Sequence, residues 1–345
     1  MRVGVDTFTL HPLKLNPFEQ LDLIRSMGLE GAQFGGLRSL SPTLDAGELR
    51  AVRERADGLG LYSHVSLSLT CNPFLAGLGP EAHREAVGAE IALAAACGWH
   101  ELHSSLGGGD ERYLHAVPWT EHLAASTRFI RSLGPVLRQH GSRINLETHG
   151  DTTTAELVRL VEDAGPDIAG ICLDTANVLC HGEDPVLAAR RAAPYTHLTH
   201  VKDAVAFFTD RGIRRQTLPP GRGAIDWRAV LPALAEYAPN LPLSIEDHKW
   251  LFRFPCFEKR WLALHPDLTL TEFAAFMRFT WRCQRRLAAG ELGDPDACER
   301  IPFADDVKER LAAGGAYLKE MIAALGLQDR PHDDRPRSLS MTAPA

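Results

Sequence analysis

The sequence predicts an α/β chain folded as a (β/α)8 barrel with a C-terminal helical extension. Three observations predict it. Eight short apolar segments alternate with helix-like segments over about 250 residues, the count of such a barrel. No glycine-rich phosphate loop follows the first apolar segment, which counts against a doubly wound open sheet. Residues that bind hard metals end four of the segments: Arg-Ile-Asn-Leu-Glu147, Gly-Ile-Cys-Leu-Asp174, His-Leu-Thr-His200 and Leu-Pro-Leu-Ser-Ile-Glu246. In a barrel the carboxyl ends of the strands converge on one mouth, so positions far apart along the chain can meet there.

The elements follow in order. Strands are expected at 3–6, 31–34, 62–69, 101–105, 144–147, 168–174, 196–201 and 243–246. They are short, apolar and often β-branched, as strands covered on both faces should be. Asn16 caps the first helix with Pro17 in its first turn, and Gly28 ends it. Gly79-Pro80 opens an Ala-rich helix that Gly98 closes, and Pro118-Trp119-Thr120 opens the next, which stops at Gly141. Thr153 with Glu156 starts another. After Glu246 the pattern changes. Residues 251–267 are aromatic and loop-like, 269–289 read as the last barrel helix, and 305–325 as an added C-terminal helix. The expected organisation is a barrel over 1–290, a helical extension over 291–328 and a disordered polar tail over 329–345.

Composition narrows the function classes. The chain has 345 residues, 45% of them hydrophobic and 23% charged, an ordinary globular balance. A formal net charge of −7 offers no basic groove for nucleic acid. No apolar stretch is long enough to span a bilayer, and Met-Arg-Val-Gly-Val-Asp6 enters a strand pattern directly, without a secretion signal. The seven cysteines are odd in number and form no CxxC pair, with Cys97 and Cys172 in apolar runs as core thiols. A reducing cytoplasm is the expected compartment.

Each of the four strand-end residues has a plain reading. Glu147 could cap the following helix, Asp174 could close an Asx-turn, His200 could be a core histidine, and Glu246 could be a surface acid. Taken together, three carboxylates and an imidazole at the same end of core strands need a counter-charge, because buried carboxylates cost several kcal/mol each without one. A divalent ion is the simplest common partner, and oxygen-rich ligation with one nitrogen suits manganese, magnesium or zinc.

These segments resemble the xylose isomerase-like TIM-barrel superfamily, in its sugar isomerase/epimerase branch. The likeness spans essentially the whole barrel. It implies that Glu147, Asp174, His200 and Glu246 hold one divalent metal. His-x-x-His-Val-Lys202-Asp203 has one more residue between its histidines than the branch pattern, so the ligand role passes to His200 and not His197. Pro220-Gly221-Arg222-Gly223-Ala-Ile-Asp226-Trp227 is similar to the branch's loop before the helix leading to the eighth strand. The chain also departs from the branch. Asn177 stands where a substrate-touching histidine is common, and Ala206, followed by Phe207 and Phe208, stands where ketose epimerases carry arginine. The two-metal set of xylose isomerase and the three-zinc set of endonuclease IV are not found.

The resemblance implies an isomerase or epimerase of a sugar or keto-sugar that works through a metal-stabilised enediolate. Glu147 and Glu246 are the acid/base candidates on opposite faces of the substrate, and His149, on the side of Glu147, is the alternative base. Asn177, Lys202, His103, His64 and Arg222 are the expected substrate-binding residues. Manganese is the first choice of ion, with magnesium, cobalt and zinc as alternatives. The second reading is a lyase or dehydratase, through β-elimination from a 3-oxo-glycoside or an inosose-like substrate, as the aromatic run 250–261 suggests. A nuclease is disfavoured, and a non-catalytic scaffold is the structural alternative. The expected partner is a small carbohydrate, with no nucleic acid and no membrane. A homo-oligomer is expected, with a small accessory subunit as a further option.

Overall fold

The computed structural model describes residues 1–249 and 251–328. The expected disordered tail, and Trp250 in the aromatic run, lie outside the described residues. Among the described residues eleven strands follow in chain order: β1 (Arg2–Asp6), β2 (Gly31–Gly36), β3 (Tyr62–Ser66), β4 (Glu101–Ser104), β5 (Arg143–Glu147), β6 (Ala169–Asp174), β7 (Thr196–Val201), β8 (Asp203–Phe208), β9 (Ile213–Leu218), β10 (Pro242–Ile245) and β11 (Leu251–Phe254). β1 to β7 and β10 close into one barrel, and each neighbouring pair is parallel. These are the eight expected segments, so the barrel architecture is the one the sequence predicts.

The helices begin where the capping chemistry places them. Asn16 accepts from the amides of Phe18 and Glu19, and Glu19 reaches back to the Asn16 amide. Thr153 and Glu156 form the same reciprocal box at the head of Thr154–Ala164. Among the described residues no helix is long and apolar enough to cross a membrane.

The barrel interior is polar and layered. Contacts across the barrel together with the alternation along each strand show which side chains point inward. The lower layer holds Tyr62, whose hydroxyl lies 3.1 Å from Ser244 Oγ, together with Glu101, Arg143 and Asn145. Gly170 on β6 has no side chain for a steric reason: a Cβ there would collide with Asn145 and His197. The upper layer holds His103 and His200, whose ring centroids are 4.9 Å apart. The extra residue between His197 and His200 is absorbed by a register shift between β6 and β7 at Ile171/Cys172. That irregularity lets both histidines face inward at different depths.

Two regions differ from the sequence expectation. First, β8 and β9 form an antiparallel hairpin, and β11 adds to β9 as a third strand. The stretch read as an aromatic loop therefore contains a strand. Second, the helical extension is present, but its helices exchange the expected roles. Helix Leu270–Ala288, expected as the last barrel helix, packs on β8, whereas Phe303–Ala324 packs beside β1 and β10. Gly314 allows that approach, since a Cβ there would sit 2.8 Å from Pro220 Cδ. Arg310 of the same helix makes a buried two-pronged ion pair with Asp247, both contacts at 2.7 Å.

Candidate functional site

The carboxyl ends of β5, β6, β7 and β10 bring Glu147, Asp174, His200 and Glu246 together. One ligand atom from each lies within 4.8 Å of the others. His200 Nδ1 is 3.1 Å from Glu147 Oε1 and 2.9 Å from Glu246 Oε2. Asp174 divides its two oxygens between both sequence readings. Oδ1 closes an Asx-turn by accepting from the amides of Ala176 and Asn177, and Oδ2 faces the site at 2.6 Å from Lys202 Nζ.

Lys202 is a counter-charge that reasoning from an ion alone overlooked. Its ammonium also lies 2.6 Å from Glu246 Oε2 and is buried. Burial opposes its charge, but the Asp174 and Glu246 carboxylates outweigh burial and raise its pKa above the ordinary value. Burial opposes a charge on His200, but Cys172, Glu246 and Glu147 hold its pKa well above the ordinary value; a bound cation would displace that proton, and with His200 then neutral the three carboxylates and one ammonium would total −2. A divalent cation balances that remainder. His200 Nδ1, Glu147 Oε1 and Glu246 Oε2 crowd one point, with the nitrogen 3.1 Å and 2.9 Å from the two oxygens, so the donor atoms converge where an ion would sit. The donor set therefore fits a hard divalent ion.

The surroundings fix the candidate ligands. His200 Nε2 lies 2.6 Å from the Gln33 side-chain amide and 3.4 Å from Asp6 Oδ2. Gln33 Oε1 is buried without a partner. Amide ends are assigned from their networks, and turning this one over lets Oε1 accept from Nε2–H, which leaves the Nδ1 lone pair toward the carboxylates. His103 Nε2 lies 3.2 Å from Glu147 Oε2, and Ser66 Oγ lies 2.8 Å from its Nδ1. Burial would raise the Glu147 pKa, but His200, His149 and His103 hold it well below the usual carboxylate range. Glu246 is held low by Lys202 and His200 against the same burial effect.

Glu147, His200, Lys202 and Glu246 of this cluster form the floor of a cavity of about 820 Å³, within the range of small-ligand sites, and Asp174 is fully buried and does not line it. Glu147, His149, Asn177, His200, Lys202 and Glu246 all line it, and so does His103. Its outer wall is Tyr113, Phe252, Phe254, Trp261 and Leu264, supplied largely by β11 and helix Lys259–Ala263. His149 is a third exposed, with Nδ1 3.9 Å from the buried Asp151 carboxylate.

Two expected substrate-binding residues lie elsewhere. His64 does not line the cavity but sits in the lower layer, its ring centroid 5.5 Å from that of Tyr62, where burial pushes its pKa down to about 4. It shares the inward face of β3 with Ser66, two residues deeper in the barrel. Arg222 is exposed and does not line the cavity. Its loop is held by Asp203, which accepts from the amides of Gly221, Ile225 and Ala204 and from Trp227 Nε1. The glycine-rich motif thus anchors the turn behind Lys202.

Other residues at the site were not singled out from the sequence. Asp6 ends β1 as the candidate ligands end their strands, and Gln33 is a polar residue on an apolar strand, so both left a signal. Cys172, read as a core thiol, faces the barrel axis, with its Sγ within 4.8 Å of nitrogen atoms of His103 and His200. Arg215 on β9 left none, because the hairpin that carries it was not anticipated.

Comparisons with known proteins agree with this fold. An Escherichia coli (strain K12) protein described as uncharacterized protein YihM is 29% identical over 94 residues, which is 27% of this chain and 29% of that protein. The fold is similar to a crystal structure of D-psicose 3-epimerase in the presence of D-fructose, with TM-score 0.61, 15% identity, and coverage of 94% of this chain and 100% of that one. It is also similar to the IOLI protein with a binding zinc atom, with TM-score 0.54, 17% identity, and coverage of 85% and 100%. The family model described as xylose isomerase-like TIM barrel matches residues 21–253, more than half of the chain. The chain belongs to the xylose isomerase-like TIM-barrel family.

Proposed function

We propose that the protein is a divalent-metal-dependent isomerase or epimerase of a sugar or keto-sugar. The observation that carries this reading is the convergence of Glu147, Asp174, His200 and Glu246, which with Lys202 and a neutral His200 would total −2, at the floor of an open cavity. An ion held there would supply Lewis-acid polarisation of a substrate carbonyl, and manganese is our first choice. The chain's own groups would do the rest. Glu147 and Glu246 would take and return the proton on the carbon beside the carbonyl, with His149 as the alternative base. Lys202 and His103 would donate to substrate oxygens. The sugar epimerase among the similar structures supports the reaction class.

Elemental analysis combined with deuterium exchange tests the reading. About one divalent ion per chain, with solvent deuterium entering a ketose next to its carbonyl, is the expected result. Metal-replete protein that exchanges no keto-sugar would overturn it.

The cavity supports a second reading. Its volume of about 820 Å³ and aromatic outer wall exceed what a lone sugar ring fills. A 3-oxo-glycoside with an apolar aglycone would occupy both halves, and loss of the group at the β-carbon would make the enzyme a lyase. Release of the aglycone together with exchange separates this reading from epimerisation.

A further inference from the structure

Arg215 is fully buried on β9, directly opposite Ala206 of β8. One terminal nitrogen donates to Asn177 Oδ1 at 3.1 Å. Its Nε and other terminal nitrogen are buried and have no hydrogen-bond partner among the described residues. The guanidinium lies over the Phe252 ring, 4.8 Å from the centroid. Two other buried arginines show the usual arrangement, since Arg112 and Arg310 each meet a carboxylate at 2.7 Å. No such carboxylate faces Arg215 among the described residues. A buried charge without a counter-ion is costly, and replacing it by an apolar side chain is often neutral or stabilising.

The consequence falls on Asn177. A guanidinium can only donate, so the Asn177 oxygen must face Arg215 and its NH2 must turn away. That NH2 lies 3.4 Å from Glu147 Oε1, and Asn177 lines the cavity. We infer that Arg215 is a positioning residue that locks the Asn177 amide with its donor toward Glu147 and the cavity, and that its unpaired charge biases this wall toward a substrate oxygen that becomes anionic. The inference rests on the functional reading above, in which an oxygen next to the departing proton gains negative charge. It adds the residue that sets the preference for the charged species over the neutral one.

The test is calorimetric binding of two probes to manganese-loaded protein: a sugar-derived hydroxamate, a planar anion shaped like an enediolate, and the matching neutral polyol. Arg215→Met should weaken the hydroxamate by about 10- to 100-fold and leave the polyol within about twofold, while its melting temperature stays level or rises. Arg215→Lys, which keeps the charge, should hold most of the preference. Should Arg215→Met fail to fold, Asn177→Leu must lose the same preference. If wild type prefers the hydroxamate and these variants weaken both probes equally, or neither, the inference is overturned and the functional reading stands. Wild-type protein that retains no ion and binds neither probe overturns both.

Discussion

Glu246 and Lys202 decide the chemistry at the scale of single residues. Glu246 is both a candidate ligand and a candidate base, so Glu246→Gln should lower bound metal well below one per chain and reduce exchange by about 100-fold or more, read by elemental analysis and NMR. Lys202→Met leaves Asp174 and Glu246 without the ammonium that each of them meets at 2.6 Å. Breaking a buried pair from one side costs about 3–5 kcal/mol. The metal-free variant should lose stability on that scale in urea titrations, and added manganese should restore most of it. An equal loss with and without manganese would show that the cluster takes no ion. Four of the residues that matter here were legible because their types are anomalous at strand ends. Their meeting with Lys202, whose charge offsets one of the three carboxylates, was not, since spacing along one strand does not reveal the angle at which another arrives.

At the scale of elements, the C-terminal helix and the small antiparallel sheet complete the mouth. Helix Phe303–Ala324 reaches the barrel through Gly314 and is tied to the residue after Glu246 by Arg310–Asp247. Gly314→Val should overpack the contact with Pro220 and destabilise by about 1–3 kcal/mol, measured by denaturant unfolding. Phe252 on β11 lines the outer cavity and lies over Arg215. If aglycone-bearing substrates are the natural ones, Phe252→Ala should raise KM for an aryl 3-oxo-glycoside by about tenfold and leave a free ketose nearly unaffected. The helix was anticipated over 305–325, and only the small sheet escaped the sequence reading. A hairpin strand such as Ile-Arg-Arg-Gln-Thr-Leu is charged and buried through partners in the third dimension, so its pattern does not mark it as a strand.

For the whole molecule, the layered interior sets the response to acid. His64 and His197 in the lower layer are each pushed down to about 4 by burial, against an ordinary value near 6.5. The unfolded chain therefore takes up protons near pH 6.5, and the folded chain does so only near pH 4. In that window the unfolded state binds more protons, so stability is full above pH 6.5 and falls as pH drops toward 4. Each histidine contributes up to about 2–3 kcal/mol of that loss. His64→Gln should flatten part of the slope in urea midpoints taken from pH 7 to pH 4, and an unchanged slope would count against a buried neutral His64.

The sequence by itself determined the barrel, because eight short strands joined by capped helices have few other closed solutions. It also marked the four strand-end donors, because ionisable groups on core strands are costly without a shared partner. Only the tertiary structure decided that Lys202 already offsets part of their charge, that His64 sits a layer too deep and Arg222 lies at the surface, and that Arg215 stands behind Asn177. Those outcomes depend on register, on a bulge in β7 and on a hairpin folded across the mouth. Such features are set by packing between distant segments, which local pattern does not encode.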